Sequence, residues 1–236
     1  DHGLLWQTEQ YDMDNILLQK TVNEYDEHQL LVQENNYFGD GDQVYVTKLV
    51  YDEDGNLLRR EMYFDGKLDY VENTYEYSDG LLVKEVENDE YGKVLNINTY
   101  TYNDKGLLER HVRDEVQNKD RRSYEYTYDD NDNCVKELVY DYDDALIAKV
   151  YRKYNEEGKM VETEEEDLDH YRKITLEYEG DLVVKNSILD RDGNLQGWAE
   201  YSYNEDGKEN ASREFIKDEV QPDHFRQLRE TRYVRE

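Results

Sequence analysis

The sequence predicts an all-β protein made of antiparallel β-hairpin repeats. Each repeat has about 26 residues and two strands, and together the repeats form one long twisted or coiled sheet or an open β-solenoid. Similar tyrosine-led turns recur along the chain, as in YDEDGNL from Tyr51 and YNDKGLL from Tyr102. The segments between these turns alternate in polarity with period two, which indicates β-strands. A second, weaker turn falls near the middle of most repeats and divides each one into two strands.

The repeat is defined by eight tyrosines that lie 24 to 26 residues apart. They are Tyr25, Tyr51, Tyr77, Tyr102, Tyr128, Tyr154, Tyr178 and Tyr203. A fixed period of this length is typical of repeat proteins, in which each unit packs on its neighbours rather than around one central core. We assign residues 1–210 to a repeat domain of about eight units. Residues 211–236 form a C-terminal capping segment of the same domain, either a closing strand or a short amphipathic cap.

The residues after each tyrosine are those that tight turns require. Asp or Asn follows most of the eight tyrosines, and such a side chain can accept a hydrogen bond from the backbone two residues further on. Glycine follows within a few residues and supplies the positive φ that hairpin loops need. These turns therefore predict reversals of the chain between antiparallel strands.

The segments between turns place tyrosine on one face of a strand. In RRSYEYTY (121–128), Tyr124, Tyr126 and Tyr128 share one face, and KITLEY (173–178) and AEYSY (199–203) alternate in the same way. Tyrosine offers a large ring for packing across strands and keeps its hydroxyl in water. It therefore suits a sheet that is only half buried.

The composition limits which partners the protein can bind. Hydrophobic residues make up 36% of the chain, charged residues make up 37%, and the net charge is −30. Such a surface repels nucleic acid and anionic lipid, because affinity for both comes from Lys and Arg. We expect a neutral or basic protein partner, with a glycan as the alternative. We expect no nucleic-acid partner and no direct membrane insertion, since no apolar run approaches the ~18 residues of a membrane span.

The combination of Tyr-Asp-x-x-Gly-x-Leu with a following Tyr-x-Tyr resembles the YD repeat of Rhs-like and teneurin-like proteins. This repeat also occurs in exported proteins of Bacteroidota, and FDGKL (64–68) resembles the related MORN-like repeats. The resemblance covers about residues 11–210 and implies a spiral β-sheet. It implies no catalytic residue, and the DPxG turn common in that family is missing here.

Aromatic side chains are the candidate binding residues. Trp6, Trp198 and Tyr201 could contribute to a strip that binds a protein or stacks on a sugar, while packing within a half-buried sheet is the structural alternative. The acidic run VETEEEDLDH (161–170) is read either as a solvated strand end or as an attachment site for a basic partner or a cation.

No cofactor is predicted, although calcium at the acidic turns is an alternative. DEDGN (52–56), DDNDN (129–133) and DRDGN (190–194) place oxygens at alternate positions, as calcium loops do. An EF-hand loop also requires a glutamate at its twelfth position, where the first two of these turns have Tyr63 and Tyr140. The five histidines are scattered, and no nucleophile or phosphate-loop motif is present. We therefore expect no enzymatic activity.

The function expected from the sequence is that of a non-enzymatic exported repeat protein. It presents an acidic, tyrosine-rich β-surface that binds another protein, as a subunit of an outer-membrane or secretion assembly. One alternative is a carbohydrate-binding surface protein, and another is a fragment of a YD-repeat toxin shell or a toxin-neutralising protein. From the family resemblance we expect a periplasmic, cell-surface or secreted location.

Overall fold

The computed structural model describes residues 4–39, 41, 43–218 and 224–233. Every regular element in these ranges is a β-strand, which confirms the predicted all-β class and its antiparallel hairpins. No helix in the described ranges is long and apolar enough to cross a membrane. The chain divides into two compact units, one that ends at Arg122 and one that begins at Ser123.

The first unit is a meander in which each strand pairs antiparallel with the next. Its strands are β1 (Gln7–Tyr11), β2 (Leu17–Tyr25), β3 (Leu31–Phe38), β4 (Gln43–Tyr51), β5 (Leu57–Phe64), β6 (Lys67–Ser78), β7 (Leu81–Asn88), β8 (Val94–Tyr102) and β9 (Leu108–Glu115).

The second unit repeats this arrangement, and its first strand begins just before the division between the units. Its strands are β10 (Asp120–Tyr128), β11 (Cys134–Tyr140), β12 (Leu146–Tyr154), β13 (Met160–Asp167), β14 (Tyr171–Glu179), β15 (Leu182–Leu189), β16 (Leu195–Tyr203), β17 (Glu209–Lys217) and β18 (Phe225–Arg232). The C-terminal segment assigned as a cap thus contains strand β18, which pairs with β17. Residues 219–223 and 234–236 of that segment lie outside the described residues.

The residue after each repeat tyrosine organises the turn through its side chain. In the turn after Tyr102, Asn103 Oδ1 accepts hydrogen bonds from Lys105 N and Leu107 N, both at 3.0 Å. Gly106 has φ 78° and closes the turn by donating its backbone N–H to Asn103 O at 2.9 Å. The same bonds recur after Tyr51, where Asp52 takes the place of Asn103. The predicted turn chemistry is therefore confirmed, and it is local to about five residues.

A β-bulge lies at each of the eight repeat tyrosines. At Tyr51, for example, Val50 pairs with Arg59 whereas Tyr51 pairs with Leu57, so one step along β4 spans two residues of β5. A bulge adds twist and redirects a side chain. Here it recurs at every repeat end, immediately before the turn.

The repeat tyrosines connect successive repeats through their hydroxyl groups. Tyr51 Oη donates to Leu31 O at 2.8 Å, and Leu31 is the residue that pairs with Tyr25 of the preceding repeat. The hydroxyls of Tyr102, Tyr154, Tyr178 and Tyr203 make the equivalent bond to the carbonyls of Leu82, Cys134, Met160 and Val183, at 2.6 to 3.1 Å. In each case the acceptor is the pairing partner of the tyrosine one repeat earlier. The tyrosine of one repeat therefore anchors the turn of the previous one.

The protein has almost no apolar core. Among the described residues, Ala199 is the single buried apolar side chain, at 8% exposure. The most deeply buried residues are polar, with Thr47 and Ser123 both at 2%. Most other strand residues are half-buried, because each strand packs mainly on the strands before and after it in sequence. Stability must therefore come from neighbouring strands, as expected for a repeat protein.

We expect Tyr203→Phe to lower the free energy of unfolding by about 1 kcal/mol, because it removes one hydrogen bond to a backbone carbonyl and leaves the ring in place. Urea unfolding followed by circular dichroism measures this change. Tyr142→Phe is the matched control, since Tyr142 is 60% exposed. Equal stability of Tyr203→Phe and the wild type would contradict a stabilising role for the hydroxyl.

Asn103→Ala should destabilise the protein by about 1–2 kcal/mol, since two backbone N–H groups lose their acceptor. Asp104→Ala, a change to the exposed next residue of the same turn, is expected to have an effect within about 0.5 kcal/mol. Thermal and urea unfolding of the two variants measure the difference. A loss of stability that is equal in both would refute the assigned role of the Asn103 side chain.

Candidate binding groove

A groove of about 670 Å³ lies on the sheet of the second unit, over strands β15 to β18. Two cross-strand rows form its base. In the first row, Gly197 of β16 pairs with Ile188 of β15 and Ile216 of β17. In the second row, Ala199 pairs with Asn186 and Glu214 on the same two strands. Residues two apart on a strand share a face, so both rows lie on the same side of the sheet.

Small residues in the middle strand create the depression. A Cβ atom at Gly197 would lie only 2.7 Å from Phe215 O, so the backbone of β17 approaches too closely for any other residue. Ala199, two residues further on, adds only a methyl group. The larger side chains on the flanking strands therefore project further from the sheet than the residues of β16 between them.

The walls of the groove are apolar and partly open to solvent. Ile188 is 37% exposed, Ile216 is 41% exposed, and Leu228 of β18 is 57% exposed. A volume of this size and an apolar lining with a few polar groups are typical of ligand sites. The groove is therefore the strongest candidate binding site in the described part of the chain.

Trp198 and Phe215 alternate with the residues of the two rows, so their rings lie on the opposite face of the sheet and pack on one another there. The Trp198 ring stacks on Phe215 with centroids 4.6 Å apart, and it makes an edge contact with Phe225 at a centroid distance of 4.9 Å. Trp198 Nε1 donates to Glu200 Oε1 at 3.1 Å. One face of the indole is thus covered, and its polar atom has a partner.

The polar side chains near Tyr201 are connected to one another. Asn186 Nδ2 donates to Tyr201 Oη at 2.9 Å, while Asn186 Oδ1 accepts from Ala199 N at 3.1 Å. Burial raises the pKa of Tyr201, and the negative charges of Glu209 and Glu214 raise it further. The Tyr201 end of the groove is therefore at negative potential.

Sequence analysis identified only part of this site. Tyr201 lies on the groove face of β16 and Trp198 lies on its opposite face, whereas Trp6 lies before β1 in the first unit and is 66% exposed. The groove residues that were missed include Gly197, Ala199 and Glu214. A signal existed in the sequence. Gly197 and Ala199 stand six and four residues before their repeat tyrosine, where the preceding repeat has Arg172 and Ile174.

The structure offers no metal centre at the acidic turns. Within the described ranges, no group of three or more His, Cys, Asp or Glu side chains is placed to hold a metal ion. Asp52 Oδ1, Asp129 Oδ1 and Asp190 Oδ1 each accept two backbone N–H bonds of their own turn. The side-chain oxygens of these turns therefore stabilise the turns themselves.

The acidic run 161–170 lies largely on strand β13, and its carboxylates pair with cations. Glu162 contacts Lys153 and Lys173 at 2.8 and 3.0 Å. Glu166 contacts Lys149 at 2.7 Å and Arg191 at 2.8 Å. These pairs hold the pKa values of Glu162 and Glu166 below their usual range, against the opposing effect of burial. Much of the negative charge in this run is therefore already compensated.

No family model and no curated protein sequence matches the chain. Among solved structures, a porin-like protein from Bacteroides uniformis is similar over 90% of this chain and 93% of its own, with 13% identity and a TM-score of 0.44. The TcdB2-TccC3 structure is similar over 87% of this chain at 13% identity and a TM-score of 0.41. The Tc holotoxin pore of Photorhabdus luminescens is similar over 84%, at 13% identity and 0.39. This chain spans only 14% of the length of each toxin chain. These TM-scores identify no family.

Stability should fall at alkaline pH because burial favours the neutral form of several tyrosines. Burial raises the pKa of Tyr75 in the first unit and of Tyr126 in the second to about 12. A group whose pKa is raised on folding stabilises fully below its unfolded pKa of about 10, and this stabilisation is lost as pH rises through the folded pKa. Unfolding free energy should therefore decrease between about pH 10 and about pH 12.

Absorbance at 295 nm measures tyrosine ionisation directly, and we expect a late phase above the usual tyrosine range. Tyr126→Phe should reduce the amplitude of that phase. A single transition near pH 10 in the folded protein, with unchanged unfolding free energy, would contradict the assigned burial effect.

Proposed function

We propose that the protein is a non-enzymatic repeat protein that binds another protein through its β-surface, with the groove on β15–β18 as the contact. The observation that supports this most strongly is the set of solvent-open aliphatic side chains around Gly197 and Ala199. Partly exposed apolar clusters with aromatic neighbours favour protein contacts. They stand out on a chain with a net charge of −30.

The proposal extends to family and location. We propose that the repeat is of the YD type, because eight tyrosines lie at equivalent bulges with equivalent turns. With that family we propose an exported protein of the periplasm, cell surface or extracellular medium, as part of a larger assembly. A neutral or basic partner suits the acidic surface.

The contacts of the Trp198 ring and of its Nε1 atom favour protein binding over sugar binding. A sugar-stacking tryptophan presents an open ring face and a free polar edge. Here Phe215 stacks on one face of the indole, and Glu200 accepts its Nε1 hydrogen. The groove walls are aliphatic, which suits side chains of a protein better than hydroxyl groups of a glycan.

The test is capture of a partner that depends on the groove. The immobilised chain is incubated with envelope extract of its source organism, and the captured protein is purified and titrated by biolayer interferometry. We expect saturable binding that Ile216→Glu weakens by at least about tenfold, since a carboxylate placed in an apolar contact must be desolvated. Ile16→Glu is the matched control, because Ile16 is 60% exposed and lies in the first unit.

Circular dichroism verifies that both variants remain folded. The groove is supported as the contact if Ile216→Glu lowers the affinity for the captured protein while Ile16→Glu keeps it within about twofold of wild type. Capture of no protein by the wild-type chain, or equal binding by all three proteins, would overturn the proposal.

A further inference from the structure

Glu214 is the charged side chain in the second row of the groove, where it flanks the methyl group of Ala199. It is half-buried, and it has no hydrogen bond or ion pair with any other described residue. A half-buried carboxylate without a partner is unfavourable, because it loses hydration without compensation. An incoming cation would supply that compensation.

The other polar groups of this row are already engaged. Asn186 uses its amide hydrogen on Tyr201 and its amide oxygen on Ala199 N. Three cations lie nearby, Arg229 opposite Glu214 and Arg226 opposite Ile216 on β18, and Lys217 on β17. None of them forms an ion pair with Glu214. Glu214 therefore lines the groove without a hydrogen-bond or ion-pair partner among the described residues.

The surroundings of Glu214 match a long cationic side chain. Lys and Arg have apolar methylene stems that pack on aliphatic surface while the charged head reaches a polar partner. Ile216 and Leu228 provide such a surface beside the carboxylate, and Ile188 faces them across Gly197. The charge of Glu209 adds to the negative potential at this end.

We propose that the groove binds an extended protein segment in which a lysine or arginine lies two residues from aliphatic residues, so that all of them face the groove, with the cation on Glu214 and the aliphatic side chains on Ile188, Ile216 and Leu228. This inference rests on the proposed protein-binding function and specifies the chemistry of the partner. The net charge of −30 attracts such a segment from a distance, and the groove selects it at contact.

The test uses two defined probes and isothermal titration calorimetry. The first peptide is acetyl-Leu-Ser-Lys-Ser-Leu-amide, in which the lysine and both leucines share one face of the extended chain, and the second replaces the lysine with glutamine. We expect the lysine peptide to bind at least about tenfold more tightly than the glutamine peptide, and Glu214→Gln to reduce this ratio to about twofold. Glu205→Gln removes the same charge from the exposed turn after Tyr203, and it should retain the preference of the wild type.

Three results would overturn the inference. The first is that the lysine peptide does not bind at about 1 mM, and the second is that both peptides bind equally. The third is that Glu214→Gln and Glu205→Gln have equal effects, which indicates attraction by the total charge only.

The outcome is separable from that of the proposed function. If Glu214→Gln captures the native partner as well as wild type does, while Ile216→Glu does not, then the protein contact stands and the cationic partner is wrong. If wild type captures no protein yet binds the lysine peptide through Glu214, the groove chemistry stands and the proposed function fails.

Discussion

The hydrogen bond from a repeat tyrosine to the backbone one repeat earlier is the interaction on which the fold depends. A bulge lies at each repeat tyrosine, and the hydroxyl of the next tyrosine donates to the carbonyl of the residue paired at that bulge, as Tyr51 donates to Leu31 O opposite Tyr25. Because Ala199 is the single buried apolar residue in the described ranges, hydrophobic burial in a core cannot supply the cohesion. Ring packing, this hydroxyl bond and strand pairing must do so together.

Much of the fold could be predicted because its determinants are local and repeated. The turn after Tyr102 is encoded within five residues by Asn103 and Gly106, and alternation identifies the strands. The target of the tyrosine hydroxyl could not be predicted in this way. It lies about 20 residues away, at a bulge whose position depends on pairing register. The same local pattern has two readings, since the Asp-rich turns resemble calcium loops and their side chains also cap the backbone.

The groove was only partly predictable for a related reason. Trp198 and Tyr201 are conspicuous as aromatic residues, but the depression beside them arises from what is missing at Gly197 and Ala199. Its walls come from β15, β17 and β18, whose alignment with β16 is fixed by register rather than by composition. Glu214 can be recognised as a candidate binding residue only when its neighbours on the adjacent strands are known.

The recurrence of a bulge at every repeat end has a consequence for how such a chain can evolve. A step of 24 to 26 residues contains two strands and returns each tyrosine to the same face beside an equivalent carbonyl. Duplication or loss of whole units in the gene therefore preserves every junction. Gain or loss of a single residue within a strand reverses the faces of the side chains between that residue and the next turn. Lineages of this protein should thus differ in the number of units, while insertions within a unit accumulate in the turns.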